Sequence, residues 1–221
     1  MNKVLVIAPH PDDETLGCGG TLFRHKHNND QLFWLIVTNI SEDNGWRRDV
    51  VIKREKEINS VSKKYGFVKK YNLEFPTTSL NTNSTVKLID KISDIYREIQ
   101  PNIIYMPFIN DVHTDHQIIA QSLQSTIKWF RYPFIKRVLM YETPSETEFN
   151  FVQGRIFKPN AFVDISKYLD IKVEIMKVYE SEIGKHPFPR SEKNIRALAT
   201  FRGSQSGFNA AEAFELVLDR K

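Results

Sequence analysis

The feature that most constrains this chain is a short apolar run, Val4-Leu5-Val6-Ile7-Ala8, that breaks at Pro9 and passes directly into His10-Pro11-Asp12-Asp13-Glu14. Apolar side chains at every position, with no polar alternation, describe a strand covered on both faces, as in a parallel sheet. A second run of this kind is Leu32-Phe33-Trp34-Leu35-Ile36-Val37-Thr38. Between the two, Thr15 to His27 is long enough for a crossover helix, so the first 38 residues read as a right-handed βαβ unit.

The alternation continues. From Arg47 to Tyr65, Val50, Val51, Ile58 and Val61 recur at helical spacing, and Gly66 follows as a C-cap. Val86 to Ile99 repeats the pattern until Pro101, and Ile103-Ile104-Tyr105-Met106 is the next buried strand. A helix is predicted over Ile118 to Phe130, strands at Val138–Tyr141 and Ala161–Asp164, and a helix near Ser166 to Glu182. No repeat, low-complexity tract or Gly/Pro/Ser-rich linker interrupts this order. The prediction is an α/β chain, a Rossmann-like α/β/α sandwich with a mainly parallel sheet, forming a single domain over residues 1–221. With 15 Phe, 8 Tyr and 3 Trp, 221 residues suffice for one sizeable core.

Several classes of function are disfavoured. The net charge is +4, but basic residues are scattered in pairs such as Lys63-Lys64 and Lys69-Lys70 and form no stripe, so no nucleic-acid partner is expected. The lone cysteine, Cys18, excludes an internal disulfide and fits a reducing compartment. It lies in a Gly-rich segment where a small buried residue is the usual occupant, which weighs against a nucleophile. The N-terminal apolar run is too short for a signal peptide. No segment reaches the ~20 apolar residues of a membrane span. The expectation is a protein with no integral membrane segment, cytoplasmic if bacterial, with homo-oligomerisation left open.

In doubly wound sheets ligands bind at the carboxyl ends of strands. Two polar clusters fall there: His10-Pro11-Asp12-Asp13-Glu14 after the first strand, and Asp111-Val112-His113-Thr114-Asp115-His116 after the strand ending near Met106. Each joins imidazole to carboxylate, the donor set that binds zinc when three protein groups leave a fourth position open. A carboxylate beside such a metal, and not bound to it, is what a water nucleophile needs as its base. Taken singly, Asp12-Asp13 reads equally as a helix N-cap pair. The two clusters together point to a metal.

At these residues the chain resembles the PIG-L/LmbE-like zinc-dependent N-deacetylases. The resemblance rests on Ala8-Pro9-His10-Pro11-Asp12-Asp13-Glu14 and His113-Thr114-Asp115-His116. It extends through Gly17-Cys18-Gly19-Gly20-Thr21, Arg54-Glu55-Lys56-Glu57, Ala199-Thr200-Phe201-Arg202-Gly203 and Ala211-Glu212-Ala213-Phe214. Thr114 departs from the proline common in the family, at a position that is not a ligand there.

The resemblance implies zinc ligands at His10, Asp13 and His116 and a general base at Asp12. It further implies that His113, hydrogen-bonded to Asp115, acts as a cation beside the developing oxyanion. Arg54 would be a clamp on substrate hydroxyls or, with Glu57, a surface ion pair. The implied reaction is zinc-dependent hydrolysis of the N-acetyl amide of an N-acetylglucosamine-type sugar or glycoconjugate. The alternatives are a zinc hydrolase of an ester or non-sugar amide, and a non-catalytic sugar-binding module. The second is disfavoured by the presence of both Asp12 and His113. Outside the two clusters, His25, His27 and His186 are expected to be surface or packing residues. Gly17, Gly19 and Gly20 are expected to admit close helix–sheet approach. Arg202-Gly203 with Glu212 reads as structural.

Overall fold

The computed structural model describes residues 1–81, 84–152 and 154–221. Seven strands form one sheet: β1 (Lys3–Ala8), β2 (Gln31–Asn39), β3 (Lys69–Pro76), β4 (Ile103–Pro107), β5 (Arg137–Tyr141), β6 (Ala161–Asp164) and β7 (Ala211–Asp219). Their order is β3-β2-β1-β4-β5-β7-β6. The first five in that order run parallel, and β7 lies antiparallel to both β5 and β6. The predicted α/β sandwich with a mainly parallel sheet is therefore observed.

Among the described residues, the α-helices flanking the sheet are α1 (Asp13–His27), α2 (Arg48–Tyr65), α3 (Ser84–Ile99), α4 (Thr114–Thr126), α5 (Leu169–Met176) and α6 (Glu192–Ser206). Side chains alternate across each strand, so β1 divides between two cores. Leu5 and Ile7 pack with Leu88, Ile92 and Tyr96 of α3 and Ile119 and Leu123 of α4. Val4, Val6 and Ala8 pack with Leu16 and Leu22 of α1, Ile58 and Val61 of α2, and Val173 and Met176 of α5.

Several elements differ from the sequence reading, which did not include α6 or β7. Thr126 ends α4, short of the predicted Phe130, and α5 is confined to Leu169–Met176 within the predicted Ser166–Glu182. The edge strand β3 was not anticipated because its burial is mostly partial and Lys69 and Lys70 dilute its pattern. Thr82, Asn83 and Gln153 lie outside the described residues.

Helix α1 breaks at Cys18, whose φ of −144° is not helical. Glu212 repairs the break by accepting the Gly20 and Thr21 N–H groups at 2.9 and 2.7 Å. Lys172 pairs with Glu212 at 2.6 Å and donates to the Leu16 carbonyl at 2.8 Å. Glu212 is thus structural, but its partner is Lys172, while Arg202 pairs with Glu142. His25 is a packing residue, set inward against Tyr105 and paired with Asp30 at 2.7 Å. No described helix is long and apolar enough to cross a membrane.

Gly17 and Gly20 admit close approach as predicted. A Cβ on Gly17 would lie 2.2 Å from the Tyr141 ring, and one on Gly20 2.6 Å from Ile165. Tyr141 cannot step aside, because it is fully buried and its hydroxyl donates to the Ile7 carbonyl at 2.8 Å. Gly17→Ala should therefore lower the urea midpoint by the equivalent of about 1–3 kcal/mol, the usual cost of overpacking a rigid core. An unchanged midpoint would show that β5 yields freely.

Candidate active site

The strand order reverses between β1 and β4, which pair from Val4–Ile103 to Val6–Tyr105 and no further. Beyond that point the loops leaving the two strands frame a crevice at their carboxyl ends. His10 to Asp13 enter it from β1, and Asp111 to His116 from β4.

In the first loop, Asp12 occupies the N-cap position of α1 with φ of 131°, a region costly for any residue with a Cβ. Its side chain makes no capping bond, so the N-cap reading of Asp12-Asp13 does not hold. Glu14, fully buried, fixes the strained turn by accepting the Asp12 N–H at 3.0 Å. Its other oxygen accepts from Thr15 Oγ1 at 2.6 Å and the Tyr179 hydroxyl at 2.9 Å. Burial pushes the Glu14 carboxyl up to about 7.

The turn and the α4 terminus bring three donor atoms together. His10 Nδ1 lies 3.4 Å from Asp13 Oδ2, His116 Nε2 lies 3.2 Å from the same oxygen, and the two nitrogens are 3.4 Å apart. Zinc bonds of about 2.0–2.1 Å at the tetrahedral angle hold ligand atoms about 3.3 Å apart. The triangle therefore fits one zinc ion with a fourth position open.

The remaining ring nitrogens are also directed. His116 Nδ1 meets Asp111 Oδ2 at 2.8 Å, and His10 Nε2 meets Asp115 Oδ2 at 3.2 Å. Imidazoles that bind metals are oriented and made more basic by such outer carboxylates. A second group, His10 with His113 and Asp115, also lies within coordinating reach. There, however, His113 Nδ1 already accepts the Asp115 N–H at 3.1 Å, and the Asp115 carboxylate accepts the N–H groups of Thr78 at 2.8 Å and Leu80 at 3.2 Å.

The charges agree with this geometry. Burial disfavours a charged His10, yet hydrogen bonds to Asp115 and Asp13 push it up to about 9. Burial likewise opposes charge on His116, but Asp13 and Asp111 hold it well above the usual imidazole range. Asp13, against its own burial, is held well below the carboxylate range by His116 and His10. The carboxylates favour positive charge at His10 and His116, and a divalent cation among them would supply it in place of protons.

One expectation needs correction. Asp115 does not hydrogen-bond the His113 imidazole through its carboxylate, which is turned to His10; only its backbone N–H reaches His113. Burial and the charges of His10 and His116 push His113 down to about 4, overriding the opposing pull of Asp115. His113 is thus a neutral imidazole whose Nδ1 is an acceptor and whose Nε2 carries the proton.

His10, Asp12, Asp13, His113 and Arg54 line one cavity of about 440 Å³, and His116 lies fully buried. The Arg54 guanidinium is largely taken up within the protein. It donates to the Pro11 carbonyl at 3.1 Å and Ser181 at 3.0 Å, pairs with Glu182, and lies 3.4 Å from Glu57. Arg190 escaped the sequence reading. Its Nη1 donates to Asp12 Oδ2 and Glu182 Oε2, both at 2.8 Å, and its Nε to Ser145 Oγ at 2.9 Å. No local motif marks an arginine 178 positions from its partner. The role of Asp111 was more accessible, since it stands five positions before His116 in the same polar segment.

Comparison with known proteins agrees with the resemblance. Residues 5–127 match the PIG-L family model, described as GlcNAc-PI de-N-acetylase. A diacetylchitobiose deacetylase of Thermococcus kodakarensis is 26% identical, with 98% of this chain and 84% of that protein covered. The conserved protein TT1542 of Thermus thermophilus superposes with a TM-score of 0.80 at 26% identity, covering 100% of this chain and 97% of that one. The N,N'-diacetylchitobiose deacetylase of Pyrococcus horikoshii superposes with a TM-score of 0.78 at 22% identity, covering 98% of this chain and 84% of that one.

Protein purified without chelator should carry about one zinc per chain. His10→Ala and His116→Ala should each lose it. Asp111→Asn should retain the ligands but weaken zinc binding by about 10–100-fold, the usual effect of losing an outer carboxylate. Full zinc occupancy in both alanine variants would remove these histidines from the metal.

Proposed function

This chain belongs to the PIG-L family of de-N-acetylases, and from that premise we propose that it hydrolyses the N-acetyl amide of an N-acetylglucosamine-type sugar or glycoconjugate in a zinc-dependent reaction. The products are acetate and a free amine. The observation that carries the reading is the donor triangle of His10 Nδ1, Asp13 Oδ2 and His116 Nε2, two of whose residues, His10 and Asp13, line a cavity together with Asp12 and His113. The family membership and the diacetylchitobiose deacetylase relative support a sugar N-acetyl substrate. Residues 1–221 act in this reading as one deacetylase domain.

His10, Asp13 and His116 would hold the zinc, which when bound would supply Lewis acidity and lower the pKa of water in the site. Asp12 is the general base. Arg190 holds its Oδ2, and Oδ1 has no partner among the described residues, so that oxygen is left to take the proton from water. Attack on the carbonyl carbon places negative charge on the amide oxygen. His113, neutral and protonated at Nε2, can donate to that oxygen without being a cation. When the C–N bond breaks, the amine nitrogen needs a proton, and the one collected by Asp12 returns the base to its starting state.

Asp115 then acts at one remove by fixing the His10 ring. Arg54 braces the Pro11 carbonyl and presents its remaining surface to the substrate cavity.

Acetate release from N-acetylglucosamine and N,N'-diacetylchitobiose by the zinc-loaded protein is the direct test. Release abolished by chelation and restored by zinc is expected, and no release from either would overturn the reading. Asp12→Asn should keep its zinc and lose at least about 100-fold in kcat, the ordinary consequence of losing a general base. Wild-type turnover in that variant would remove Asp12 from the role.

A further inference from the structure

The cavity is chemically two-sided. Its polar lining includes His10, Asp12, Asp13, His113 and Arg190. The opposite character comes from Ile40, Trp46 and Val50, which line the same space. Trp46 and Val50 stand four positions apart, and Arg54 follows after four more. Val50 and Arg54 share one face of α2, and Trp46, in the turn just before that helix, lines the same cavity.

Trp46 is 44% exposed, whereas Trp34 is fully buried in the core. Its backbone is nonetheless fixed. The Trp46 and Asn44 N–H groups both donate to the Ser41 carbonyl, at 3.2 and 3.1 Å, and Gly45 closes the turn with φ of +83°. An anchored turn thus holds a large apolar ring at the mouth of a polar cavity. Leaving that ring in water forgoes the burial that normally favours tryptophan.

We propose that Trp46 is the platform on which the pyranose ring of the substrate stacks, and that it makes the site select cyclic sugars over acyclic N-acetyl amides. A pyranose presents axial C–H groups on one face and hydroxyls at its edge. The C–H face covers the indole while the acetamido group reaches the polar lining. Val50 and Ile40 extend the apolar contact, and the hydroxyls remain toward Arg54, Glu182 and solvent. The inference rests on the deacetylase reading and adds to it the residue that determines ring selectivity.

Trp46 lies outside the reacting groups, so its loss should act on binding. For Trp46→Ala, KM for N-acetylglucosamine should rise about tenfold or more, with kcat within about twofold of wild type; Trp46→Phe should recover most of the loss. Turnover of N-acetylethanolamine, which has no ring, should be the same in wild type and Trp46→Ala. A second readout needs neither zinc nor turnover: glucosamine added to the chelated protein should change the intrinsic tryptophan fluorescence, and the change should vanish in Trp46→Phe. Acetate release with a wild-type KM in Trp46→Ala, or a fluorescence response that persists in Trp46→Phe, would overturn the platform while leaving the deacetylase reading intact. No acetate release by wild type, with a Trp46-dependent fluorescence response, would overturn the reaction and uphold the sugar platform.

Discussion

The parallel pairing of β1 with β4 is the constraint on which the rest depends. Two strands separated by about a hundred residues are locked side by side from Val4–Ile103 to Val6–Tyr105, while their outer edges stay paired with β2 and β5 to the strand ends. The crevice opens beyond the last of these pairs, and the lock makes two loops distant in sequence into opposite sides of one site. Short-range propensity could build neither. The pairing itself is secured by burial, since Val4 through Ala8 are excluded from solvent on both faces of the sheet.

Into this crevice the chain brings an unusual quantity of buried charge. Asp13, Asp111 and Asp115 surround His10 and His116, and neither imidazole could remain charged in so buried a place without them. Charges removed from water are tolerated when paired and hydrogen-bonded, and removing one partner typically costs about 3–5 kcal/mol. A divalent cation would balance these charges by joining the three inner donors directly, with Asp111 and Asp115 on the outer ring nitrogens. The strained turn at Asp12 belongs to the same arrangement. Glu14 and Arg190 hold, from below and from the side, a carboxylate that the backbone alone would not place there.

Much of this was legible in the sequence. An uninterrupted apolar run followed by His-Pro-Asp-Asp identifies both a doubly covered strand and a polar turn at its carboxyl end, because burial and turn chemistry are local properties. The β4 loop is legible for the same reason. Arg190, Glu182 and Trp46 were not, since each reaches the site through packing between elements far apart in the chain. The pairing of the Asp115 carboxylate with the His113 ring, which the family resemblance implied, is not made here. Residue 115 lies in the first turn of α4, where its carboxylate swings toward His10 and the N–H groups of Thr78 and Leu80 instead. The edge strand β3 and the antiparallel β7 show the same limit, as their placement is decided by the sheet they join.

The central claim is that one cation sits between the two loops, held by His10, Asp13 and His116, with His113 outside its coordination sphere. Crystal diffraction recorded at the zinc absorption edge tests it most directly. The account predicts a single anomalous peak within about 2.0–2.2 Å of His10 Nδ1, an Asp13 carboxylate oxygen and His116 Nε2. A peak ligated instead by His113 and the Asp115 carboxylate would contradict it.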